Sequence, residues 1–258
     1  MKRKVYEQLL EWKNQEHHKP LLLNGVRQCG KTYVLKEFGR REFDSLAYVS
    51  CDRNVNLQAI YSGDFDVARI IQGLSALTGV DIIPGKTLIF LDEVQAFPQA
   101  LEALKYFCED APEYHIAVAG SLLGVALHAG VSFPVGKVQT LRLFPMDFEE
   151  FLMAMGEEQL LKLMHSHDYE LMNAFHEKLK DLLRQYYYVG GMPEVVKAFV
   201  ENKLLNQVRS LQNEILSNYA SDFSKHAPSQ EVPRIDMVWQ SILGQLSKEN
   251  KKFVYGVL

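Results

Sequence analysis

The chain has 258 residues, enough for one large domain or two smaller ones. Hydrophobic residues make up 47% of the sequence and charged residues 23%, which is typical of an ordinary globular protein. The formal net charge of −4 argues against a strongly basic nucleic-acid-binding surface. No apolar run approaches the ~18 residues that a membrane span requires, so we expect no membrane association.

The amino terminus and the cysteines favour a cytoplasmic protein. Met1 to Lys4 is basic, but the following residues are amphipathic and charged, unlike the apolar core of a signal peptide. The cysteines Cys29, Cys51 and Cys108 show neither CxxC spacing nor a paired framework. Reduced thiols in the cytoplasm fit this usage.

The first predicted element is a helix from Val5 to Gln15, with apolar residues along one stripe. We expect His17 and His18, which follow it, to face solvent. A metal site built from these two adjacent histidines is disfavoured, because neighbouring residues on a helix point apart.

The next segment carries the clearest functional motif of the chain. GVRQCGKT matches G-x-x-x-x-G-K-[ST], a phosphate-binding loop. Leucines 21 to 23 predict a strand before it, and the spacing from Lys31 to Gly39 predicts a helix after it. This context disfavours a chance match in an ordinary loop. The loop residues are Gly25, Val26, Arg27, Gln28, Cys29, Gly30, Lys31 and Thr32.

Each residue type in this loop has a physical role. Gly25 and Gly30 let the backbone curl so that its N–H groups face an anion. The following helix adds free N–H groups and the positive end of its dipole. Lys31 is expected to reach the β- and γ-phosphates of a nucleotide, and Thr32 to place its hydroxyl on Mg²⁺.

Carboxylates follow the third predicted strand. Ser45 to Cys51 predicts the second strand, and residues 57–78 predict two helices. Thr87 to Leu91 is then a continuous apolar run, typical of a strand buried on both faces, and it ends in Asp92 and Glu93. We expect Asp92 to hold Mg²⁺ and Glu93 to orient and deprotonate a water molecule. The alternative is a pair of solvated acids at a strand end.

A polar residue also follows the fourth predicted strand. Pro98 to Cys108 predicts a helix, and His115 to Gly120 predicts a buried strand that is followed by Ser121. Ser121 is a candidate sensor that would hydrogen-bond the γ-phosphate or the attacking water. Alternatively it caps a helix over residues 122–128, and one residue could fill both roles.

The character of the sequence changes near residue 156. Before it, residues 129–138 read as a loop, Gln139 to Leu143 as a strand, and Asp147 with Glu150 as a capping box. After it, strand patterns stop and Leu-, Met- and Tyr-rich helices are predicted. We therefore expect an α/β core over residues 1–156 and a helical region over 157–258. The predicted helices are Glu158 to Met164, Tyr169 to Tyr187, Pro193 to Phe199 and Leu204 to Tyr219.

Taken together, the segments GVRQCGKT, TLIFLDEVQ, AVAGS, SFPVGKVQTLRLFPMDFEEFL and YYYVGGMPEVV resemble the AAA+ ATPases of bacteria and archaea. The similarity is to the group in which the ATPase precedes a C-terminal domain of unknown function, often nuclease-like. It implies a P-loop NTPase fold, with a five-stranded parallel sheet, helices on both faces and a helical lid. It also implies the phosphate, Mg²⁺, base and sensor roles given above to Lys31, Thr32, Asp92, Glu93 and Ser121.

The resemblance implies Mg²⁺-dependent binding and hydrolysis of ATP, with ADP as product. A nucleotide-dependent switch that recruits a partner and hydrolyses very slowly is the alternative. A homo-oligomer, and a DNA or protein target reached through a C-terminal domain missing from this chain, are further expectations. A small-molecule kinase is disfavoured because no substrate pocket or basic lid cluster can be identified.

Two departures from the family pattern stand out. Cys29 occupies a loop position more often held by a smaller or aliphatic residue, which raises the question of an oxidation liability. No arginine obviously fills the role of the arginine finger. The candidates left open are Lys137, Arg142, Arg184 and Arg234.

Overall fold

The computed structural model describes residues 1–52, 54–120, 134–226 and 230–247. Its centre is a sheet of five strands in the order β2-β3-β4-β1-β5, and every pair of neighbours is parallel. The predicted five-stranded parallel sheet is therefore confirmed. The strands are β1 Leu21–Gly25, β2 Ser45–Ser50, β3 Thr87–Asp92, β4 His115–Gly120 and β5 Gln139–Leu143.

Helices cover both faces of this sheet. The helices of the α/β part are α1 Val5–Lys13, α2 Lys31–Glu42, α3 Asn56–Ile60, α4 Val67–Thr78 and α5 Pro98–Asp110. Alternate residues of β3 supply two separate cores: Leu88 and Phe90 pack with α1 and α2, whereas Ile89 and Leu91 pack with α3, α4 and α5. A parallel strand covered on both faces is apolar at every position, which explains the run TLIFL.

A helical region follows β5. Its helices are α6 Phe148–Ala154, α7 Glu158–His165, α8 Tyr169–Ala174, α9 His176–Val189 and α10 Pro193–Asn202. The predicted capping box begins α6, since Asp147 accepts from the backbone N–H of Glu150 and the Glu150 carboxylate accepts from that of Asp147. A small core of its own contains Leu152, Leu160 and Leu182.

The chain forms two compact units. The first comprises Met1–Lys197, and the second begins at Ala198. The second unit contains α11 Leu205–His226 and α12 Val232–Leu246, whose residues Tyr219 and Trp239 stack with ring centroids 6.2 Å apart. The expected domain boundary near residue 156 stays a prediction.

No helix of the described residues is both long and apolar enough to span a lipid bilayer.

Two predictions are wrong, and one helix was not predicted. The single helix predicted from Tyr169 to Tyr187 is two helices that meet at Phe175, and α8 buries none of its residues, so its apolar spacing did not report packing. Helix α12 was not predicted at all. His18 is buried, with 8% of its surface exposed, because it packs against the Trp12 and His115 rings instead of facing solvent.

Candidate nucleotide site

The strand order brings the predicted site residues to one edge of the sheet. Strand β4 lies between β1, which leads into the phosphate loop, and β3, which ends at Asp92. The carboxyl ends of parallel strands share an edge, and ligands bind at that edge in open α/β sheets. Ser121 directly follows β4 but lies outside the described residues, so its sensor role stays a prediction.

The backbone of the phosphate loop needs glycine at two positions. Gly30 adopts φ +96°, in the left-handed region, directly before α2. A Cβ on Gly25 would lie 2.3 Å from the carbonyl oxygen of Leu143, much closer than any real contact. Gln28 also has a positive φ of 62°, which is uncommon for a residue with a side chain. The two left-handed residues, Gln28 and Gly30, thus turn the chain tightly just before α2.

The Lys31 side chain lies over this loop. Its ammonium group donates hydrogen bonds of 2.8 Å to the carbonyl oxygens of Gly25 and Val26. Only 7% of Lys31 is exposed, and this burial lowers the pKa of its ammonium group. The nearby Cys29, Glu93 and Asp92 have the smaller, opposite effect of raising that pKa. A buried ammonium beside inward-curled backbone is suited to a polyanion such as a triphosphate.

Thr32 and Asp92, the two predicted metal ligands, are in direct contact. The Thr32 hydroxyl donates a 2.7 Å hydrogen bond to Asp92 Oδ2, and the backbone N–H of Glu93 donates to Asp92 Oδ1 at 3.1 Å. Asp92 is buried, with 4% of its surface exposed. In nucleotide sites, Mg²⁺ usually takes few oxygen ligands from the protein, and phosphate oxygens and water complete its coordination. The Thr32 hydroxyl and the Asp92 carboxylate fit that small protein share. No cluster of three or more His, Cys, Asp or Glu side chains suited to a metal occurs in the described parts of the chain.

Glu93 is held in a strained backbone conformation. Its φ of 52° and ψ of 44° are left-handed, a region that costs a residue with a side chain about 1–3 kcal/mol. The Gln95 amide donates to the Glu93 carboxylate and fixes its direction. Strain that persists beside candidate reacting groups fits a position selected for chemistry rather than stability. The sequence reasoning missed Gln95, although it stands two residues after Glu93 in the same segment.

Arg3, a buried residue that the sequence analysis did not single out, donates hydrogen bonds to the candidate phosphate loop and its surroundings. The guanidinium of Arg3 donates to the carbonyl oxygens of Cys29, at 2.8 Å, and Phe144, at 2.6 Å. It also donates to Glu150 Oε1 at 3.1 Å. Cys29 itself is buried, and burial raises the pKa of its thiol against the attraction of Lys31 and Arg3. A thiol that is protonated and away from solvent is less reactive than an exposed thiolate, which argues against the oxidation liability.

Residues 190–193, here called the GGMP segment, contact Met146, which lies between β5 and α6. The backbone N–H of Met146 donates to the carbonyl oxygen of Gly191 at 2.7 Å, and the Tyr186 hydroxyl donates to the carbonyl oxygen of Met146 at 2.9 Å. Pro193, the first residue of α10, lies 3.7 Å from the point where a Cβ on Gly30 would be. Pro193 therefore lies near Gly30 of the candidate phosphate loop.

The structure singles out no arginine finger among the open candidates. Lys137 forms an ion pair with Glu109 at 2.9 Å, and Arg184 forms one with Asp181 at 3.1 Å. Arg142 is exposed on β5, and Arg234 is exposed on α12. All four remain predictions.

Comparison with known families shows the family of this chain. A family model described as "AAA domain" matches residues 17–152, just over half of the chain. The chain belongs to the AAA+ ATPase family. A second model, described as "Domain of unknown function (DUF8612)", matches residues 180–258 of this AAA+ protein. The matched AAA region contains the phosphate loop, Asp92 and Glu93, whereas Arg3 lies before it.

A solved structure resembles this AAA+ protein in fold. The Walker-type ATPase PABY2304 of Pyrococcus abyssi is 15% identical, with a TM-score of 0.51 over 95% of this chain and 78% of that one. A chain of the Drosophila ORC structure bound to DNA is 14% identical, with a TM-score of 0.42 over 97% of this chain and 82% of that one. No curated protein matches the sequence.

Proposed function

We propose that this AAA+ protein binds ATP with Mg²⁺ and hydrolyses it to ADP and phosphate. The observation that carries the proposal is the 2.7 Å hydrogen bond from Thr32 to Asp92, beside the Lys31 ammonium in a curled loop. This contact joins the Thr32 hydroxyl of α2 to the Asp92 carboxylate of β3, and Lys31, the candidate phosphate-binding cation, directly precedes Thr32 in α2. The residues present therefore fit both the nucleotide and the metal ion.

The chain's own residues divide the work of such a reaction. The loop N–H groups and Lys31 bind the phosphates, while Thr32 and Asp92 hold the metal. When bound, Mg²⁺ neutralises charge on the phosphate oxygens. Glu93 accepts the proton of the attacking water as general base, and Gln95 keeps its carboxylate in place. Ser121 is proposed as the sensor that hydrogen-bonds the γ-phosphate or this water.

The coarser architecture supports further parts of the proposal. We assign residues 1–156 to the ATPase core and the helices that follow to a lid, which the proximity of Pro193 to Gly30 supports. A cytoplasmic homo-oligomer that supplies the arginine finger between copies is consistent with the absence of an obvious one among the described residues. A DNA or protein target reached through a nuclease-like C-terminal domain is proposed on family resemblance alone.

The alternative function is a nucleotide-dependent switch with very slow hydrolysis. Lys31, Thr32 and Asp92 would serve it equally well, because they bind rather than react. Glu93 distinguishes the two functions, since a switch has no need of a strained, oriented base at this position.

Two substitutions test the proposal against this alternative. Lys31→Ala removes the ammonium and should weaken binding of a fluorescent ATP analogue severely, whereas an unchanged titration of the folded variant contradicts nucleotide binding at this loop. Glu93→Gln keeps the size of the side chain but cannot take a proton. It should bind ATP like the unaltered protein and hydrolyse it ~10²–10⁴-fold more slowly, the usual contribution of a general base.

The matched control is Glu113→Gln. Glu113 is exposed and precedes the amino end of β4, so it lies at the end of the strands away from the candidate site. It should leave binding and phosphate release unchanged. An unaltered protein that binds ATP but releases no more phosphate than Lys31→Ala favours the switch. The assay is repeated at rising protein concentration, because activity assembled between copies should climb faster than linearly.

A further inference from the structure

Tyr48 contacts the candidate metal-binding carboxylate from the neighbouring strand. Strand β2 lies beside β3 at the edge of the sheet, and Tyr48 is paired with Phe90 in their register. Its hydroxyl nevertheless extends two residues further along β3 and donates to Asp92 Oδ2 at 3.4 Å. The same oxygen accepts the 2.7 Å hydrogen bond from Thr32. Nothing in the phosphate-loop motif accounts for this tyrosine.

The Tyr48 ring is fixed by two neighbours. The Phe90 ring packs against it with centroids 5.4 Å apart. On another side, the Lys36 ammonium lies 3.5 Å from the centre of the Tyr48 ring, a close cation–π contact. Lys36 belongs to α2, the helix that also begins with Lys31 and Thr32. Tyr48 thus contacts both α2, which carries Lys31, and β3, which carries Asp92.

We propose that Tyr48 is a positioning residue for the divalent cation, acting through Asp92. The inference rests on the proposed function, because the ion concerned is the Mg²⁺ that accompanies the nucleotide. Thr32 and Tyr48 donate to Oδ2 of Asp92, and the backbone of Glu93 donates to Oδ1. Three donors from three directions fix the plane of the carboxylate. A carboxylate held in one orientation loses less freedom when it takes up a metal or a metal-bound water.

The Tyr48 hydroxyl supplies one of the hydrogen bonds that Asp92 accepts. Removing only the hydroxyl, as in Tyr48→Phe, therefore removes one hydrogen bond from Asp92 while keeping the ring between Phe90 and Lys36. Loss of an outer partner of a metal ligand typically lowers metal affinity ~10–100-fold. Since 3.4 Å is a long hydrogen bond, we expect the lower end of that range, about 10-fold.

The experiment measures metal affinity separately from nucleotide affinity. The fluorescent analogue mant-ADP is titrated onto the full chain in EDTA and then at increasing Mg²⁺, and the Mg²⁺ concentration that gives half of the gain in affinity is recorded. Tyr48→Phe should raise that concentration about 10-fold and leave the affinity in EDTA unchanged. Its matched control is Tyr106→Phe. Tyr106 also stacks on a phenylalanine and has a lysine near its ring, but no bond from its hydroxyl to a carboxylate is found within the described ranges.

Each outcome decides a different question. Equal Mg²⁺ half-points for Tyr48→Phe, Tyr106→Phe and the unaltered protein overturn the positioning role. Weaker binding of Tyr48→Phe in EDTA as well as in Mg²⁺ also overturns it, because damage to the fold or to the nucleotide pocket would do the same. Failure of the unaltered protein to bind mant-ADP under either condition contradicts the proposed function itself.

Discussion

The guanidinium of Arg3 donates a 2.8 Å hydrogen bond to the carbonyl oxygen of Cys29, inside the phosphate-binding loop. The same side chain joins Phe144, at the end of β5, and Glu150, in the capping box of α6. Glu150 in turn accepts from the backbone N–H of Lys4 at 2.8 Å. The amino terminus, the loop and the start of the helical region therefore share one buried charged network.

We predict that Arg3→Met destabilises the protein and weakens nucleotide binding together. Removing one partner of a buried ion pair typically costs about 3–5 kcal/mol, because the other charge, here Glu150, is left buried. The loop carbonyl of Cys29 also loses its donor. Urea unfolding followed by circular dichroism measures the first effect, and titration of mant-ADP onto the folded protein measures the second.

Two further variants make the Arg3 result interpretable. Arg3→Lys keeps the charge but cannot make the forked contacts, so its losses should be intermediate. Lys2→Met is the surface control. The Lys2 side chain is 79% exposed, and its ion pair with Glu158 is long, at 4.0 Å, so its loss should cost little. A loss of stability in Lys2→Met as large as that in Arg3→Met is incompatible with the buried network as the cause.

Gly191 packs its α-carbon directly against the backbone of Met146. A Cβ at this position would lie 2.1 Å from the Met146 carbonyl oxygen and 3.0 Å from its nitrogen. Backbone atoms cannot rotate away, so Gly191→Ala must move the GGMP segment. We expect it to lower the free energy of unfolding by about 1–3 kcal/mol, the usual cost of overpacking.

Gly39→Ala is the comparison for Gly191, since it too adds a methyl group to a crowded site in the first compact unit. There the nearest atom is the terminal Cδ1 of Leu46, at 2.7 Å, which can change rotamer. Alanine also favours the helix interior over glycine by about 1 kcal/mol. The loss in Gly39→Ala should therefore be smaller. Equal or greater destabilisation by Gly39→Ala in thermal or urea unfolding contradicts the backbone clash at Gly191.

The parts of this structure that sequence could predict are those with a local signature. The phosphate loop has a fixed spacing, and a strand buried on both faces reads as an unbroken apolar run such as Thr87 to Leu91. That the sheet has five parallel strands is implied only by the family resemblance. Periodicity does not distinguish neighbouring strands, so β4 between β1 and β3 was not derivable from the residues alone.

Arg3 and Tyr48 escaped prediction for a related reason. A basic residue near the start of a chain is usually solvated, and nothing around Arg3 in sequence announces partners at Cys29, Phe144 and Glu150. Tyr48 looked like an ordinary β-strand aromatic, since its partner Asp92 is 44 residues away. Contacts across the fold determine both roles, and such contacts leave no local pattern.

His18 and His115 form an aromatic pair at the amino-terminal edge of the sheet. Their ring centroids are 3.8 Å apart, and both residues are 92% buried among Trp12 and Phe43. The Nδ1 atom of each ring has no hydrogen-bond partner in the portion of the chain that the structure covers. His115 Nε2 lies 3.2 Å from the carbonyl oxygen of Lys13. Among the described residues, no acid lies beside either ring to favour its charged form.

Burial lowers the pKa of both histidines. For His115 the pKa falls to about 4, with burial as the larger cause and the proximity of His18 as the second. For His18 the cause is burial, against a smaller opposing hydrogen bond. An unfolded histidine takes up its proton near pH 6.5, so between pH 6.5 and 4 the unfolded state binds more protons than the folded state. Stability from these groups is therefore fully present above pH 6.5 and is lost as the pH falls toward 4.

We predict that the free energy of unfolding falls as the pH is lowered from 7 to 5 and that His115→Phe reduces this slope. Phenylalanine preserves an aromatic ring against Trp12 but cannot be protonated. One histidine contributes at most about 1.4 kcal/mol per pH unit, and solvent reaching the rings reduces that value. The measurement is urea unfolding of each variant at pH 7, 6 and 5. His17→Phe is the matched control because His17 is exposed, and its pH dependence should equal that of the unaltered protein. If His115→Phe retains the full slope, the buried histidine pair is not the source of the acid sensitivity.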